Sequence, residues 1–316
     1  MKKQSSIPEV PATMNAIRLH TATGPQGLAY EQVPTPLPGA GEVLVRVYAA
    51  AITRDELDWP VNRLPAIPSY EFSGVVAAVR PDSTGIEVGE AVYSLSPFNR
   101  NGAAADFIAL PANEVAPKPT TLGYVESAAV PLAALSAWQG LFDHGSLVKG
   151  QRVLIHGATG GVGGFAVQLA HQRGATVIGT TSTRNVEAAR ALGADEVIDY
   201  TLTHFEEDID KVDLVFDTAG GDRLARSPSV IRPGGRLVSI ASEPSQEQAA
   251  RFGIIATYFV VAPDRGQLVE LAKLVDAGSL RPTIAAVYPL AEARKAFERC
   301  QAGGNSGKIV LRVAAG

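Results

Sequence analysis

The chain changes its hydrophobic period near its middle. From Asn15 to about Ala116 apolar and polar positions alternate, as in "EVLVRVYAAAI", where Val43, Val45 and Val47 fall on one face. Similar short runs, "FSGVVAAV", "EAVYSL" and "ADFIAL", are separated by segments rich in turn residues. This pattern predicts an all-β unit, built as a barrel or as a sandwich.

From about Val148 onward, apolar β-like runs alternate with helical segments. The runs are "RVLIHGA", "ATVIGTT", "EVIDY", "VDLVFDTAG" and "GRLVSIA". Such alternation predicts an α/β unit with a doubly wound parallel sheet. The segment "RGQLVELAKLVDAGSL" predicts one more amphipathic helix, and the strands "TIAAVYPL" and "GKIVLRV" that follow it are candidates to return to the first unit.

Composition narrows the classes of partner. At 316 residues two domains are expected, and no apolar run reaches the roughly 20 residues of a membrane span. The net charge of -4 and the absence of a dense Lys/Arg tract argue against nucleic acid. The lone Cys300 excludes an internal disulfide and suits a reducing, cytoplasmic compartment. Residues 1–13 lack the apolar segment of a signal peptide, so they predict a disordered leader.

The stretch "HGATGGVGGFAVQLA" joins a predicted strand to an amphipathic helix. Ala158, Gly160 and Gly163 occupy the three positions of a G-x-G-x-x-G fingerprint, with alanine at the first. Such a turn lets a pyrophosphate approach the backbone at the start of a helix, so it predicts a dinucleotide site. The candidate ligand-binding residues are Ala158, Thr159, Gly160, Gly161, Val162 and Gly163. The alternative is a tight turn without a ligand.

The end of the next predicted strand bears on which dinucleotide binds. A carboxylate about 20 residues after the glycines would bind the ribose 2′-hydroxyl of NADH and repel a 2′-phosphate. The segment "IGTTSTRNVE" has no acid before Glu187 but offers Ser182 and Arg184, which suit a phosphate. We therefore predict NADPH as the cofactor. The alternative is that Arg184 is a solvated residue at the start of a helix.

The sequence resembles the zinc-independent medium-chain dehydrogenases/reductases, in the quinone oxidoreductase branch. The matching stretches are "PGAGEVLVRVYAAAI", "EFSGVVAAV", "SAAVPLAALSAWQGLF", "HGATGGVGGFAVQLA", "GADEVIDY", "RPGGRLVSIA" and "GKIVLRV". They cover nearly the whole chain in the family's order. The resemblance implies a GroES-like β-rich catalytic domain (14–125 and 264–316) and a Rossmann domain (126–263), with NADPH in the cleft between them.

Departures from the wider superfamily point to the chemistry. The zinc alcohol dehydrogenases carry a Cys where this chain has Thr53 and a His where it has Tyr70. A hydroxyl and a phenol are poor zinc ligands, so we expect no catalytic zinc. Without a Lewis acid the expected chemistry is hydride delivery from NADPH to an electrophilic carbon, as in a quinone or an α,β-unsaturated carbonyl.

The resemblance also implies further cofactor contacts. They are Ser136, Tyr200, Thr218, Gly220, Ala241, Ser242, Phe259, Val260 and Lys308. Each has a plainer alternative: Tyr200 could be a packed aromatic, the Ser136 hydroxyl could bond its own helix, and "TYFVV" could be an edge strand used for dimerisation.

The proton donor is the least determined part of the site. Tyr70 is the preferred candidate for contacting the substrate oxygen, with Thr53 second, and solvent is the alternative source of the proton. The acids of "TRDELDW" could act as acid and base, but Thr53 and Glu56 also form a T-x-x-E capping box, which needs no chemistry. Trp59 and Phe98 could form an aromatic wall for a flat substrate or belong to the core.

The sequence thus predicts a zinc-free, NADPH-dependent quinone or enone reductase. The alternatives are an enoyl-thioester reductase and a low-turnover NADPH-binding protein with a structural or sensor role. No membrane or nucleic-acid partner is expected, and the resemblance implies a homodimer.

Overall fold

The computed structural model of the chain describes residues 10–60, 63–83 and 85–314. Positions 1–9 of the predicted leader (residues 1–13) lie outside the described residues. The strands are β1 (Thr13–Leu19), β2 (Leu28–Pro34), β3 (Glu42–Ile52), β4 (Glu71–Val79), β5 (Ala91–Leu95), β6 (Phe107–Pro111), β7 (Ala116–Pro117), β8 (Arg152–His156), β9 (Thr176–Thr181), β10 (Glu196–Asp199), β11 (Val212–Asp217), β12 (Ile231–Ser239), β13 (Ile255–Tyr258), β14 (Ile284–Pro289) and β15 (Lys308–Arg312).

The helices lie mostly in the second half of the chain. They are α1 (Tyr124–Ala128), α2 (Pro131–Trp138), α3 (Gly161–Gln172), α4 (Val186–Ala191), α5 (Phe205–Asp208), α6 (Gly221–Arg226), α7 (Gln246–Phe252), α8 (Arg265–Asp276) and α9 (Ala293–Ala302). A short 3-10 helix, Glu56–Asp58, follows β3. Within residues 10–60, 63–83 and 85–314, no helix combines the length and the apolar character that crossing a membrane requires.

The described chain divides into two compact units. The first, the β-rich unit, holds the residues up to Pro131, then Pro263–Asp276 and the chain from Ile284 onward. The second, the Rossmann unit, holds Leu132–Ala262 and Ala277–Thr283. The predicted fold class, a GroES-like β-rich domain with a parallel-sheet Rossmann domain, is confirmed.

The strand β3 is the centre of the β-rich unit. Its sheet has the order β14-β15-β3-β4-β5-β7, and β6 also pairs with β3. Both faces of the strand are covered, because Val43 and Val45 pack into one apolar cluster while Leu44 and Ile52 pack into another. The two last strands return to this sheet, since β15 pairs antiparallel with β3.

The Rossmann unit contains a parallel sheet with the order β10-β9-β8-β11-β12-β13. The chain runs from β8 outward to β10 and then crosses to β11, so the direction of winding reverses between β8 and β11. In open α/β sheets, ligands bind beyond the carboxyl ends of the strands at such a switch point. Helix α3 follows β8 and buries Phe165, Ala166 and Leu169.

Candidate functional site

The glycine-rich turn between β8 and α3 is shaped by close backbone packing. Gly157 has a φ of +76°, a conformation that side chains rarely adopt. A Cβ at Gly163 would lie 2.0 Å from the carbonyl oxygen of Gly157, so only glycine fits there. Gly160 caps α3 with extended backbone and without a side-chain hydrogen bond. The first-turn N–H groups of a helix have no partner within it, so this end can receive an anion.

The alanine at the first fingerprint position is accommodated by a glycine on the next strand. A Cβ at Gly179 would lie 2.7 Å from the Cβ of Ala158, so the glycine in β9 leaves room for the alanine methyl. The backbone N–H of Ala158 donates to the carbonyl oxygen of Thr180. The buried hydroxyls of Thr159 and Thr181 lie 2.9 Å apart. These contacts fix the turn against β9 and leave the start of α3 as its candidate ligand-binding face.

At the switch point of the sheet, the residue after β11 contacts the end of β8. The Thr218 hydroxyl donates to the carbonyl oxygen of His156, which ends β8. Gly220 has a φ of +69°, and a Cβ there would lie 3.2 Å from the Ala241 Cβ and 3.5 Å from the Ser242 hydroxyl. The structure therefore brings together Thr218, Gly220, Ala241 and Ser242, as predicted for the carboxyl edge.

A buried carboxylate that sequence analysis did not identify organises the same edge. Asp217 ends β11 and accepts hydrogen bonds from the Gly220 N–H and the Ser239 hydroxyl. Burial raises the pKa of this carboxyl above its ordinary value, although the hydrogen-bond donors around it act in the opposite direction. The Ser239 oxygen also accepts from the N–H of Ser242. Asp217 thus holds the turns after β11 and β12 together. The signal was an acid directly after the apolar run "LVF".

Two arginines lie near the end of the candidate site that would hold the adenosine. Arg184 is exposed, and the Asn185 side-chain amide lies 3.4 Å from the Ser182 hydroxyl. Tyr200 is 44% exposed. The Arg223 guanidinium lies 4.8 Å from the Tyr200 ring centroid. This contact joins the loop after β10 to α6.

A carboxylate reaches this end from a strand other than the one considered in the sequence. Asp199 in β10 pairs with Thr181 in the sheet register. Hydrogen bonds from the Thr183 and Thr201 side chains lower the pKa of Asp199. An acid that directly follows β9 can be read from the sequence, whereas Asp199 comes to this end only through the parallel register of β10 with β9.

Of the other predicted cofactor positions, Ser136 makes the hydrogen bond of its plainer alternative, and Phe259 and Val260 differ in exposure. The buried Ser136 hydroxyl donates to the carbonyl oxygen of Leu132, one helical turn earlier. Phe259 is buried and its ring lies 4.4 Å from that of His144, whereas Val260 is 64% exposed. Both follow β13, which is an edge strand of the described sheet.

The second candidate site is a polar cluster in the β-rich unit. The sheet register creates it: β3 ends before Thr53, and its antiparallel neighbours β4 and β15 begin at Glu71 and Lys308. The Lys308 ammonium lies 2.6 Å from a Glu71 carboxylate oxygen and donates to the Thr53 hydroxyl over 3.1 Å. The side chains of Lys308 and Glu71 are 7% and 1% exposed. Lys308 was predicted as a cofactor contact, and here its ammonium is held inside this cluster.

Glu56 links the two segments that carry the predicted catalytic residues. One of its carboxylate oxygens accepts from the Thr53 N–H and the other from the Ser69 N–H, each over 2.7 Å. The first contact is half of the predicted capping box. The other half is replaced, because the Thr53 hydroxyl binds Lys308. Ser69 has a φ of +66°, and its hydroxyl donates to the carbonyl oxygen of Ala51.

The electrostatics of Glu56 follow from its surroundings. Burial raises the pKa of Glu56 to about 7, although the N–H groups of Thr53 and Ser69 and the Lys308 ammonium act in the opposite direction. Glu71 adds to the rise because it is a second carboxylate beside the same ammonium. The pKa of Tyr70 is also raised, by burial and then by Glu56. The cluster can therefore take up a proton near neutral pH.

Trp59 and Phe98, the two residues of the predicted aromatic wall, pack against Tyr70. Its ring lies 5.9 Å from Trp59 and 5.1 Å from Phe98, and the last two are 5.2 Å apart. Tyr70 is buried, whereas Trp59 and Phe98 are half-buried. The three rings pack on one another, and the partial exposure of two leaves apolar surface at this end of the β-rich unit.

Comparison with known proteins identifies the family. Residues 39–120 match the alcohol dehydrogenase GroES-like domain, and residues 192–311 match a domain described as a zinc-binding dehydrogenase. The chain is 32% identical to a probable zinc-binding oxidoreductase of mitochondria from Arthroderma benhamiae, over 98% of this chain and 99% of the relative. The protein belongs to the medium-chain dehydrogenase/reductase superfamily.

Other members of the superfamily resemble the chain over most of its length. It is 29% identical to an NADPH-dependent alkenal/one oxidoreductase of chloroplasts from Arabidopsis thaliana, over 85% of this chain and 72% of the relative. The structure of the quinone oxidoreductase from Coxiella burnetii superposes with a TM-score of 0.90 at 31% identity, over 96% of this chain and 100% of the other. The chain is accordingly an oxidoreductase of this superfamily.

The family model that matches residues 192–311 is described as zinc-binding, so the donor atoms near Thr53 and Tyr70 bear on whether the chain can hold zinc. In the described part of the chain, no three His, Cys, Asp or Glu side chains are grouped in a way that could hold a metal ion. At the two positions where zinc dehydrogenases carry Cys and His, the chain has the Thr53 hydroxyl and the Tyr70 phenol. Lys308 adds a positive charge beside Thr53. This donor set does not fit zinc, which prefers thiolate, imidazole and carboxylate.

Proposed function

We propose that the protein transfers hydride from NADPH to a quinone or an α,β-unsaturated carbonyl without zinc. The polar cluster around Thr53 and Tyr70 carries this proposal. It offers hydrogen-bond donors and a buried ammonium where a zinc enzyme of the superfamily needs metal ligands. Such groups can stabilise an oxygen that gains negative charge. They cannot take the place of the metal ion that stabilises the alkoxide when a simple alcohol is oxidised.

The glycine-rich turn supports a dinucleotide cofactor. Gly157, Gly160 and Gly163 allow close approach to the start of α3, whose N–H groups suit a pyrophosphate. When bound, the reduced nicotinamide would supply the hydride ion. The quinone- and alkenal-reducing relatives favour this chemistry, and the chloroplast relative is NADPH-dependent by name.

The choice of NADPH over NADH rests on the adenosine end. Arg184, Ser182 and Tyr200 would receive the 2′-phosphate, with Arg223 adding positive charge behind the Tyr200 ring. Asp199 opposes this preference, because its carboxylate lies beside Thr183 at the same end. We infer that the exposed arginine outweighs the carboxylate, since the carboxylate is already engaged with two threonines.

The substrate end uses neutral and aromatic groups. Trp59 and Phe98 would pack against a flat ring, and the Tyr70 phenol or the Thr53 hydroxyl would donate to the substrate oxygen. Because Glu56 holds the backbone on both sides, the two hydroxyl groups keep a fixed relation to each other. Orientation and a dry site are then the main contributions of the protein.

The deciding experiment measures cofactor oxidation by the purified, chelator-treated protein. We expect NADPH to be consumed with naphthoquinone or with an alkyl vinyl ketone, faster than NADH and at a rate that added zinc does not raise. Dependence on zinc would contradict the metal-free mechanism. Turnover only with an enoyl thioester would favour the thioester reductase, and tight NADPH binding without turnover over the whole panel would favour the binding protein.

The role of Tyr70 is tested in the same assay. Tyr70→Phe should lower kcat/KM for the accepted substrate, whereas Tyr30→Phe, which alters a 49% exposed tyrosine in β2, should not. An unchanged kcat/KM for every accepted substrate would remove Tyr70 as the donor and leave Thr53.

A further inference from the structure

Lys308 and Thr53 form a directional pair. The Lys308 ammonium is buried and donates to the Thr53 oxygen, so the hydroxyl hydrogen must point away from it. Among the described residues no acceptor takes that hydrogen, and Thr53 is half-buried. A buried cation therefore lies behind a hydroxyl whose own donor remains available on its open side. Hydrogen bonds in such a chain polarise one another, so the hydroxyl becomes a stronger donor.

The ammonium is held in place from the other side. Glu71 pairs with it over 2.6 Å, and Glu56 fixes the backbone of Thr53 through its N–H. These contacts come from β4, β15 and the turn after β3, which meet at one end of the sheet. The hydroxyl is thereby oriented by three separate segments, as a preorganised donor requires.

We propose that Lys308 is a positioning residue for the reaction: through Thr53 it stabilises the substrate oxygen that becomes negative. This inference rests on the proposed function and deepens it, because it gives the ammonium the electrostatic task that zinc has in other members of the superfamily. It also differs from the cofactor contact that the family resemblance implies for Lys308.

The chemistry balances without proton transfer from lysine. A hydride that arrives at the β-carbon of an enone brings two electrons, the carbon–carbon π pair moves toward the carbonyl carbon, and the carbonyl π pair moves onto oxygen. The Thr53 hydroxyl donates a hydrogen bond to that oxygen and keeps its proton. Water then supplies the proton that completes the saturated ketone. Lys308 remains an ammonium throughout.

A double-mutant cycle on the NADPH-dependent reduction of an alkyl vinyl ketone tests the pair. Thr53→Val should lower kcat about a hundredfold, as loss of one oxyanion donor does. Lys308→Met should lower kcat comparably, and the double variant should be no more than about threefold slower than the slower single variant. Lys308→Arg should restore part of the rate. Lys273→Met, which removes a 66% exposed lysine in α8, is the matched control and should leave kcat unchanged.

Two measurements separate this role from the alternatives. The Kd for NADPH, from fluorescence titration, should be unchanged in Lys308→Met; a raised Kd with an unchanged kcat would make Lys308 a cofactor contact and overturn the inference. The Glu71→Gln/Lys308→Met variant removes both charges and so avoids an unpaired buried carboxylate. It should fold and stay slow, whereas wild-type kcat in this variant would show a purely structural ion pair.

The failure of the proposed function has a different signature. A wild-type protein that does not oxidise NADPH with any quinone or enone would remove the proposed function. An active wild-type protein with strictly additive Thr53→Val and Lys308→Met effects would remove only the pairing.

Discussion

Gly163 lies directly against the carbonyl group of Gly157, so that a Cβ at position 163 would come within 2.0 Å of the Gly157 oxygen. The contact is between backbone atoms, which cannot rotate away as a side chain can. We expect Gly163→Ala to displace the turn, to lower Tm and to weaken NADPH binding at least tenfold, as measured by thermal unfolding and fluorescence titration.

The neighbouring glycine supplies the control. A Cβ at Gly164 would meet only the Leu192 side chain at 3.6 Å, an ordinary contact. Gly164→Ala should therefore keep NADPH binding and gain up to about 1 kcal/mol from helix propensity. If both variants bound NADPH like the wild type, the turn would not be the pyrophosphate site.

The cofactor preference depends on two opposite charges near the end of β9. Arg184→Glu should reduce the preference for NADPH over NADH at least tenfold, because a phosphate would then face a carboxylate. Asp199→Asn should raise the affinity for NADPH a few-fold, since it removes the charge beside Thr183. Both are measured as the ratio of Kd values for the two cofactors.

An arginine outside the proposed phosphate site serves as the comparison. Arg190 in α4 is 58% exposed and pairs with Glu187 one turn earlier. Arg190→Glu makes the same charge change and should leave the cofactor ratio unaltered. An unaltered ratio in Arg184→Glu as well would refute the role of Arg184.

The architecture could be predicted because the hydrophobic period of the sequence specifies its strands and helices. Alternating residues in "EVLVRVYAAAI" gave β3, and the alternation of apolar runs with helical segments gave the parallel sheet, including the two late strands that return to β3. The glycine pattern likewise located the start of α3. These features are local in sequence, and physical rules act on them over a few residues.

The polar cluster was less predictable because three distant segments form it. Thr53, Glu71 and Lys308 meet only through the register of β3 with β4 and β15. Sequence analysis weighed Glu56 as a cap or a catalytic acid, and it serves as a cap for Thr53 while also binding Ser69. The hydrophobic pattern of the sequence does not indicate which hydroxyl the Lys308 ammonium binds, because the two partners lie 255 residues apart.

Glu56 predicts an unusual dependence of stability on pH. Burial raises its pKa from 4.5 to about 7, so the unfolded chain loses this proton first as pH rises. The stability contributed by the protonated form is thus present below about pH 4.5 and is lost as pH rises through about 7, by about 3 kcal/mol. Glu56→Gln mimics the protonated side chain and should gain stability relative to the wild type between about pH 5 and about pH 8.

A second carboxylate in the same unit gives the opposite sign. The pKa of Glu42 is lowered by its hydrogen bond to Arg100, so its contribution is lost as pH falls. Glu42→Gln should therefore be less stable than the wild type by an amount that stays nearly constant between about pH 5 and about pH 8 and shrinks only as pH falls below about 4.5. Urea unfolding at both pH values measures each difference, and a parallel trend in the two variants would show that Glu56 does not titrate as stated.

The edge of the Rossmann sheet predicts a dimer. β13 pairs only with β12 in the described sheet, and it exposes apolar side chains at Ile255 (50%) and Tyr258 (43%), with Val260 (64%) just beyond. An unpaired apolar edge is a site for pairing with another strand, and a second copy of β13 offers a matching one.

We expect light scattering to give twice the mass of one chain. Ile255→Lys with Val260→Lys should give monomers, because two buried ammonium groups would oppose the pairing, whereas Leu37→Lys, at an 87% exposed leucine of the β-rich unit, should leave the dimer intact. A wild-type protein of monomeric mass would remove the edge-strand interface.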